Sequence, residues 1–406
     1  MSPKWRNLLL LALAVLLAKS LWFSASAVVP QIALEWRLGD SGKSWLTMSV
    51  QLGFVAGALA SAALNLADRL PLPRLVAASA LVAAAANAAI PLFASGLAPA
   101  LVLRFATGAA LAGVYPPGMK IMATWCKEDR GLGIGILVGA LTVGSAAPHL
   151  IAAVGAATGG SGGLPPWRAI LAAASVLAAA GAAVALIFVR PGPHLSEAAP
   201  FDWKYMGKTF TEPPLRLANL GYLGHMWELY AMWAWAPLFV AASLRAAGSS
   251  EAVARVLAFA TIAAGGAGSV AAGFVADRFG RSRTAILCLA VSGSCALAAG
   301  FLGGAPLILA VVAIVWGFAV VADSAQFSAA VSELCDSRYV GTALTVQTSL
   351  GFLLTAVTIR VIPPIEARFG PGVAFAALAL GPVAGIVAMR RLRARPESSR
   401  MASGRR

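Results

Sequence analysis

The chain consists of apolar runs of about twenty residues, one after another, and this repetition limits its fold more than any single motif does. With breaks at charge, proline and glycine clusters, about twelve runs separate: 8–33, 44–67, 72–94, 97–119, 132–157, 168–190, 215–241, 252–276, 284–304, 306–328, 340–363 and 371–390. Each is long enough to cross a hydrocarbon layer about 30 Å thick, and none alternates polar with apolar residues as a barrel strand does. Backbone groups in lipid must be satisfied inside their own segment, so the expected fold is an all-α integral membrane protein of twelve helices. With 59% hydrophobic residues, 12% charged residues and mean hydropathy +0.81, the chain also carries more apolar surface than one soluble core buries.

A net charge of +15 raises nucleic acid as a partner, but the charges sit in short loops and in a tail instead of along helix faces. The lipid bilayer is the expected partner and nucleic acid is not. Most of the 31 Lys and Arg fall on one side when the N-terminus is placed inside, which puts both termini in the cytoplasm. Lys4 and Arg6 before an apolar run, with SASA at Ser24 to Ala27, imitate a signal peptide; Lys19 interrupts that run, and an uncleaved first helix is the better reading. The four cysteines form no CxxC pair and have no histidine at ligand spacing, so neither metal nor cofactor is expected. No GxxxxGK[ST], HExxH or nucleophile elbow points to ATP hydrolysis or to an enzyme.

The longest polar connection follows Arg190 and separates six runs from six. The expected units are a first six-helix bundle over 1–190, a linker over 191–214, a second bundle over 215–392 and a basic tail over 393–406. Pro30 with Pro237, Asp68 with Asp277 and Arg130 with Arg338 lie at offsets of 207, 209 and 208 residues, so the halves register as a tandem repeat.

The stretch GFVADRFGRSR, Gly273 to Arg283, joins two runs through a compact charge cluster. Gly273, Asp277, Arg278, Gly280 and Arg281 match, in order, the loop signature G-x-x-x-D-R-x-G-R of the major facilitator superfamily, which the chain resembles over nearly its whole length. The first-half copy keeps Asp68 and Arg69 but has Leu64 and Pro71 where the pattern has glycines. Arg104 and Gly108 resemble the family's R-x-x-x-G motif, and GALTVGSAAPHL resembles a degenerate antiporter motif from which exchange is not inferred. The resemblance implies a bacterial inner-membrane transporter, working as a monomer by alternating access, with two pseudo-symmetric six-helix bundles around a central site. The loop motif would then be a gate; its bland alternative is a topogenic loop.

Charged groups inside the runs point to the site. Lys19 lies near the middle of the first run, where a charge costs about 2.5–3.5 kcal/mol and needs a polar cavity or a partner. Trp22 and Phe23 follow at helical spacing. In the seventh run His225, Glu228 and Met232 share a face, and Glu228 reads as a coupling acid whose protonation responds to a nearby cation. A Lys19–Glu228 ion pair that only orients the halves is the alternative. Arg104 reads as an anion contact or a snorkelling residue, and His149 after Pro148 as a ligand, a proton shuttle or a packed neutral histidine. Asp323 and Gln326 are candidates for lining a vestibule. Three first-half basic groups favour a small organic or inorganic anion, moved with protons; the alternatives are proton-driven efflux of hydrophobic or cationic compounds, and a non-transporting sensor or assembly protein.

Overall fold

The computed structural model describes residues 2–126, 130–158, 165–194 and 202–405, and every regular element among them is helical. Residues 195–201 of the expected linker lie outside that set. Twelve spans result. Nine stretches among the described residues are long and apolar enough to cross a membrane, and the last of these, Val340–Arg393, contains two spans. It is divided at Gly370, whose φ of 81° lies in the left-handed region that a glycine enters without strain.

The two further spans are the first and the seventh, and they carry Lys19 and Glu228. The first begins as a helix over Pro3–Lys19, loses α-helical pairing through residues 20–28 and resumes at Val29–Trp36. The single run expected over 8–33 is therefore broken in its middle, and the backbone groups released there need partners. The seventh, Pro213–Ala246, stays helical through Pro237. The fourth span is interrupted between Leu97–Leu111 and Tyr115–Trp125, and the tenth at Asp323, between Pro306–Ala322 and Ser324–Leu334. These two interruptions occupy equivalent places in the halves.

Within each half, the spans are held together by backbones that touch through glycine. A Cβ on Gly108 would lie 1.9 Å from the carbonyl oxygen of Val50, joining fourth span to second. A Cβ on Gly317 would lie 1.6 Å from that of Thr261, joining tenth span to eighth. Gly108 and Gly317 are 209 residues apart, the offset already read from Asp68 and Asp277. Close packing of this kind replaces the hydrophobic drive that helices lack in lipid. Gly317→Ala is expected to lower the melting temperature in detergent, overpacking of this kind costing about 1–3 kcal/mol. Gly304→Ala, with nothing within 4 Å of the added carbon, is the control that leaves melting unchanged.

The halves meet where the fifth span (Arg130–Thr158) packs on the eighth (Glu251–Phe279), and the second (Asp40–Ala63) on the eleventh, which begins at Val340. The linker contains a short helix, Trp203–Thr211, and the basic tail is folded: Met401 is fully buried and the Ala402 N–H donates to Glu333 Oε2.

Candidate functional site

Lys19 is 1% exposed and makes no hydrogen bond or ion pair among the described residues. Its ammonium sits 3.9 Å from the centre of the Trp22 ring and 5.1 Å from that of Phe54, with Tyr115 at 5.9 Å. Ring faces carry partial negative charge and hold a cation without neutralising it. Gln51 lies one turn before Phe54, and neither its amide nitrogen nor its oxygen is partnered; the Trp22 indole N–H is also unpartnered. The Lys19 ammonium, the Gln51 amide and the Trp22 indole therefore carry donors whose hydrogen-bonding capacity is unspent among the described residues.

Aromatic side chains from the second half close over this cage. Phe352 lies 4.6 Å from Phe54 and 5.3 Å from Trp22, and Tyr230 lies 5.9 Å from Trp22. Phe23 packs on Tyr230 and on Trp233, at 6.2 Å and 5.9 Å. Met232 is buried in the same turn of the seventh span. Trp22 and Phe23 thus meet the seventh span at the interface between halves, and Lys19 lies against Trp22 on the first-half side.

The structure gives Arg104 a different employment from contact with an anion. It is fully buried, so it does not snorkel, and its guanidinium donates to the carbonyl oxygens of Leu46 (3.2 Å), Leu21 (2.9 Å) and Trp22 (2.5 Å) and to Ser24 Oγ (3.3 Å). Leu21, Trp22 and Ser24 lie where the first span unwinds and Leu46 lies in the second span, and a five-donor fork is the side chain able to serve several such acceptors at once. Arg255, in the second turn of the eighth span, is also buried and donates across the halves to the Ala27 carbonyl (3.0 Å) while pairing with Glu251. No spacing rule points to these roles, because the unwound segment itself is not visible in an apolar run. His149 is buried in the fifth span, toward Arg255, with Nδ1 unpartnered.

Glu228 is fully buried inside the second half. Its Oε1 accepts from the Trp316 indole N–H at 2.7 Å and its Oε2 from the Ser292 hydroxyl at 2.8 Å. No ion pair joins it to Lys19 among the described residues, so the alternative reading of a Lys19–Glu228 ion pair is not met in this structure. Instead the two hold the same place in the repeat, 209 residues apart: a lone cation in one half and a hydrogen-bonded carboxyl in the other. One turn away, His225 Nδ1 lies 2.8 Å from Asp323 Oδ1, both residues being buried. Asp323 is therefore not lining an open vestibule; it terminates the upper segment of the broken tenth span and faces the histidine. Gln326, a turn further on, accepts from Arg281 at 3.3 Å.

Arg281 belongs to the loop motif, which lies at the end of the eighth span. Gly280, at φ 98°, ends the eighth span and starts the ninth (Arg281–Ala299) with no loop between them. Arg281 is buried, pairs with Asp277 at 2.9 Å and Glu333 at 3.2 Å, whereas Arg278 is exposed. Gly273 approaches the Gly131 carbonyl, and a Cβ on Gly131 would lie 2.6 Å from an Asp277 oxygen. Asp277 thus rests on the first turn of the fifth span, where the helix dipole favours negative charge, and ties one half to the other. The first-half copy differs. Asp68 pairs with Lys120 of its own half, and Arg69 is exposed. Asp277→Asn is accordingly expected to disturb transport more than Asp68→Asn in matched uptake assays; equal effects would refute the asymmetry.

A sequence model for the Major Facilitator Superfamily matches residues 11–357. No curated protein sequence matches significantly. Among solved structures, the proton:xylose symporter XylE, bound to 6-bromo-6-deoxy-D-glucose, superposes with a TM-score of 0.71 at 14% identity, over 96% of this chain and 95% of that one.

Proposed function

The chain belongs to the major facilitator superfamily, and from that premise we propose that it moves a small organic or inorganic anion together with protons, with Lys19 as the anion's seat and Glu228 as the proton site. It is a secondary transporter and not an enzyme. The observation that carries the anion reading is the state of Lys19: a buried ammonium on the first-half side of the interface, with ring faces around it and no carboxylate among the described residues to neutralise it. A cation left in that condition is costly in the membrane, and a bound anion repays the cost. The unspent N–H donors of Gln51 and Trp22 add hydrogen bonds of the kind an oxyanion accepts.

Proton coupling follows from the chemistry around Glu228. The Trp316 indole can only donate, so a proton on Oε1 would face another donor. Oε2 faces Ser292, whose hydroxyl can turn to accept from the protonated carboxyl while donating to the Leu289 carbonyl, 3.3 Å away. The site can therefore hold the carboxyl in either protonation state by rotating one hydroxyl. From Glu228, the turn carrying His225 leads to Asp323, then Gln326, then Arg281 of the gate, so a change of charge at the acid has a polar route to the contact that holds the halves together. That XylE is a proton symporter supports the same mode in a chain of the same fold. The cation-rich side of the loops supports a cytoplasmic position for the gate and for both termini, in an inner membrane.

Binding tests the seat directly. Intrinsic tryptophan fluorescence of the purified protein is expected to change saturably with a small carboxylate or inorganic oxyanion, through Trp22, and to lose that response in Trp22→Phe. A panel of anions without effect, alongside a saturable response to organic cations, would overturn the reading.

A further inference from the structure

Away from the central site, a recess of about 640 Å³ opens on the outer surface between the ninth and twelfth spans, at the end of the molecule that carries the loop motif. Arg283, Arg390 and Arg393 line it together with Ile286, Leu287 and Ala290. None of the three guanidinium groups is hydrogen-bonded or ion-paired among the described residues, and no acidic residue lines the recess. Arg281, two residues before Arg283, is by contrast ion-paired with Asp277 and Glu333, so the recess is not an extension of the gate's ion pairs. Its apolar wall continues along the surface away from the charged end: Leu287 and Val291 on the ninth span, Val387 and Val383 on the twelfth, all exposed.

We propose that this recess is a binding site for an anionic phospholipid. The phosphate would sit among the three arginines and an acyl chain along the Leu287 and Val387 stripes. The geometry separates this ligand from others. A soluble anion would use the arginines but leave the apolar stripe uncovered, and a zwitterionic lipid would use the stripe but bring its own cation to the arginines. Arginine forks bind phosphate oxygens in pairs, and three such groups in one concavity at the bilayer surface are the recurring composition of anionic-headgroup sites. The position also has a consequence. The ninth span starts at Gly280 with no loop between it and the motif, so a lipid held by Arg283 bears on the element that carries Arg281.

The test uses full-length protein in nanodiscs of mixed phosphatidylglycerol and phosphatidylcholine, released gently for native mass spectrometry. The parent is expected to retain phosphatidylglycerol selectively. The triple substitution R283Q/R390Q/R393Q is expected to lose that selectivity by on the order of 100-fold, each arginine near the surface contributing about tenfold or less. R390Q alone, which removes one exposed side chain and disturbs no packing, is expected to weaken retention several-fold, so the result does not depend on the triple variant being stable. Equal retention of the two lipids by the parent, unchanged retention by R390Q, or displacement of the lipid by soluble glycerol phosphate at comparable concentration would each overturn the proposal, the last by showing that the site reads phosphate alone.

Discussion

Lys19→Met is expected to abolish anion uptake while raising the melting temperature, and the opposition of those two signs is what distinguishes a substrate seat from a structural cation. A buried ammonium without a carboxylate partner destabilises the folded protein by about 2.5–3.5 kcal/mol relative to an apolar residue of similar length. Removing it relieves that cost. The same change deletes the charge that the anion needs, and truncating one side of a buried charged pair costs about 2–5 kcal/mol in binding, roughly 30-fold to several thousand-fold in affinity. Lys19→Arg is expected to fail as well, because a flat guanidinium does not replace a compact ammonium between the rings of Trp22 and Phe54. Thermal melts and labelled-anion uptake on the same preparations decide the matter. A less stable Lys19→Met with proportionate loss of uptake would return Lys19 to a structural role.

Glu228→Gln should leave exchange of labelled for unlabelled substrate close to the parent's while removing accumulation driven by a pH gradient. The amide oxygen keeps the hydrogen bond from Trp316, and the amide nitrogen donates to Ser292 as the protonated carboxyl would, so the fold and the closed state have no reason to change. What is lost is the capacity to release the proton. Full gradient-driven accumulation by Glu228→Gln would remove Glu228 from coupling. Asp323→Asn is a different kind of change. It alters the buried contact, 2.8 Å long, with His225, and leaving a buried polar group unsatisfied costs about 1–3 kcal/mol, so its transport defect should come with lowered stability.

Much of the architecture can be read without coordinates because hydropathy and spacing are properties of single positions. Twelve runs, the change of half near Arg190 and the Asp68–Asp277 register all follow from counting residues, and the matching glycine contacts of Gly108 and Gly317 share that register. The site is less legible, for a physical reason. Lys19 and Glu228 stand out because charge in an apolar run is expensive, yet their costs are met differently: one by ring faces, the other by an indole and a hydroxyl from the ninth and tenth spans. Partners so far apart in sequence leave no spacing signal. Arg104 shows the same limit. Its buried charge is visible in the sequence, but two of its acceptors, the Leu21 and Trp22 carbonyls, lie in an unwinding that the apolar pattern of residues 20–28 conceals. The offset of 209 residues between Lys19 and Glu228 was available from the repeat, and it places them in equivalent positions instead of facing each other as a pair.

The most direct test is uptake of a panel of labelled carboxylates and inorganic oxyanions by proteoliposomes, with and without an imposed pH gradient. The account predicts accumulation of at least one small anion that rises with the gradient, collapses with a protonophore and disappears in Lys19→Met. No anion uptake, together with gradient-driven extrusion of a hydrophobic cation that survives Lys19→Met, would contradict it.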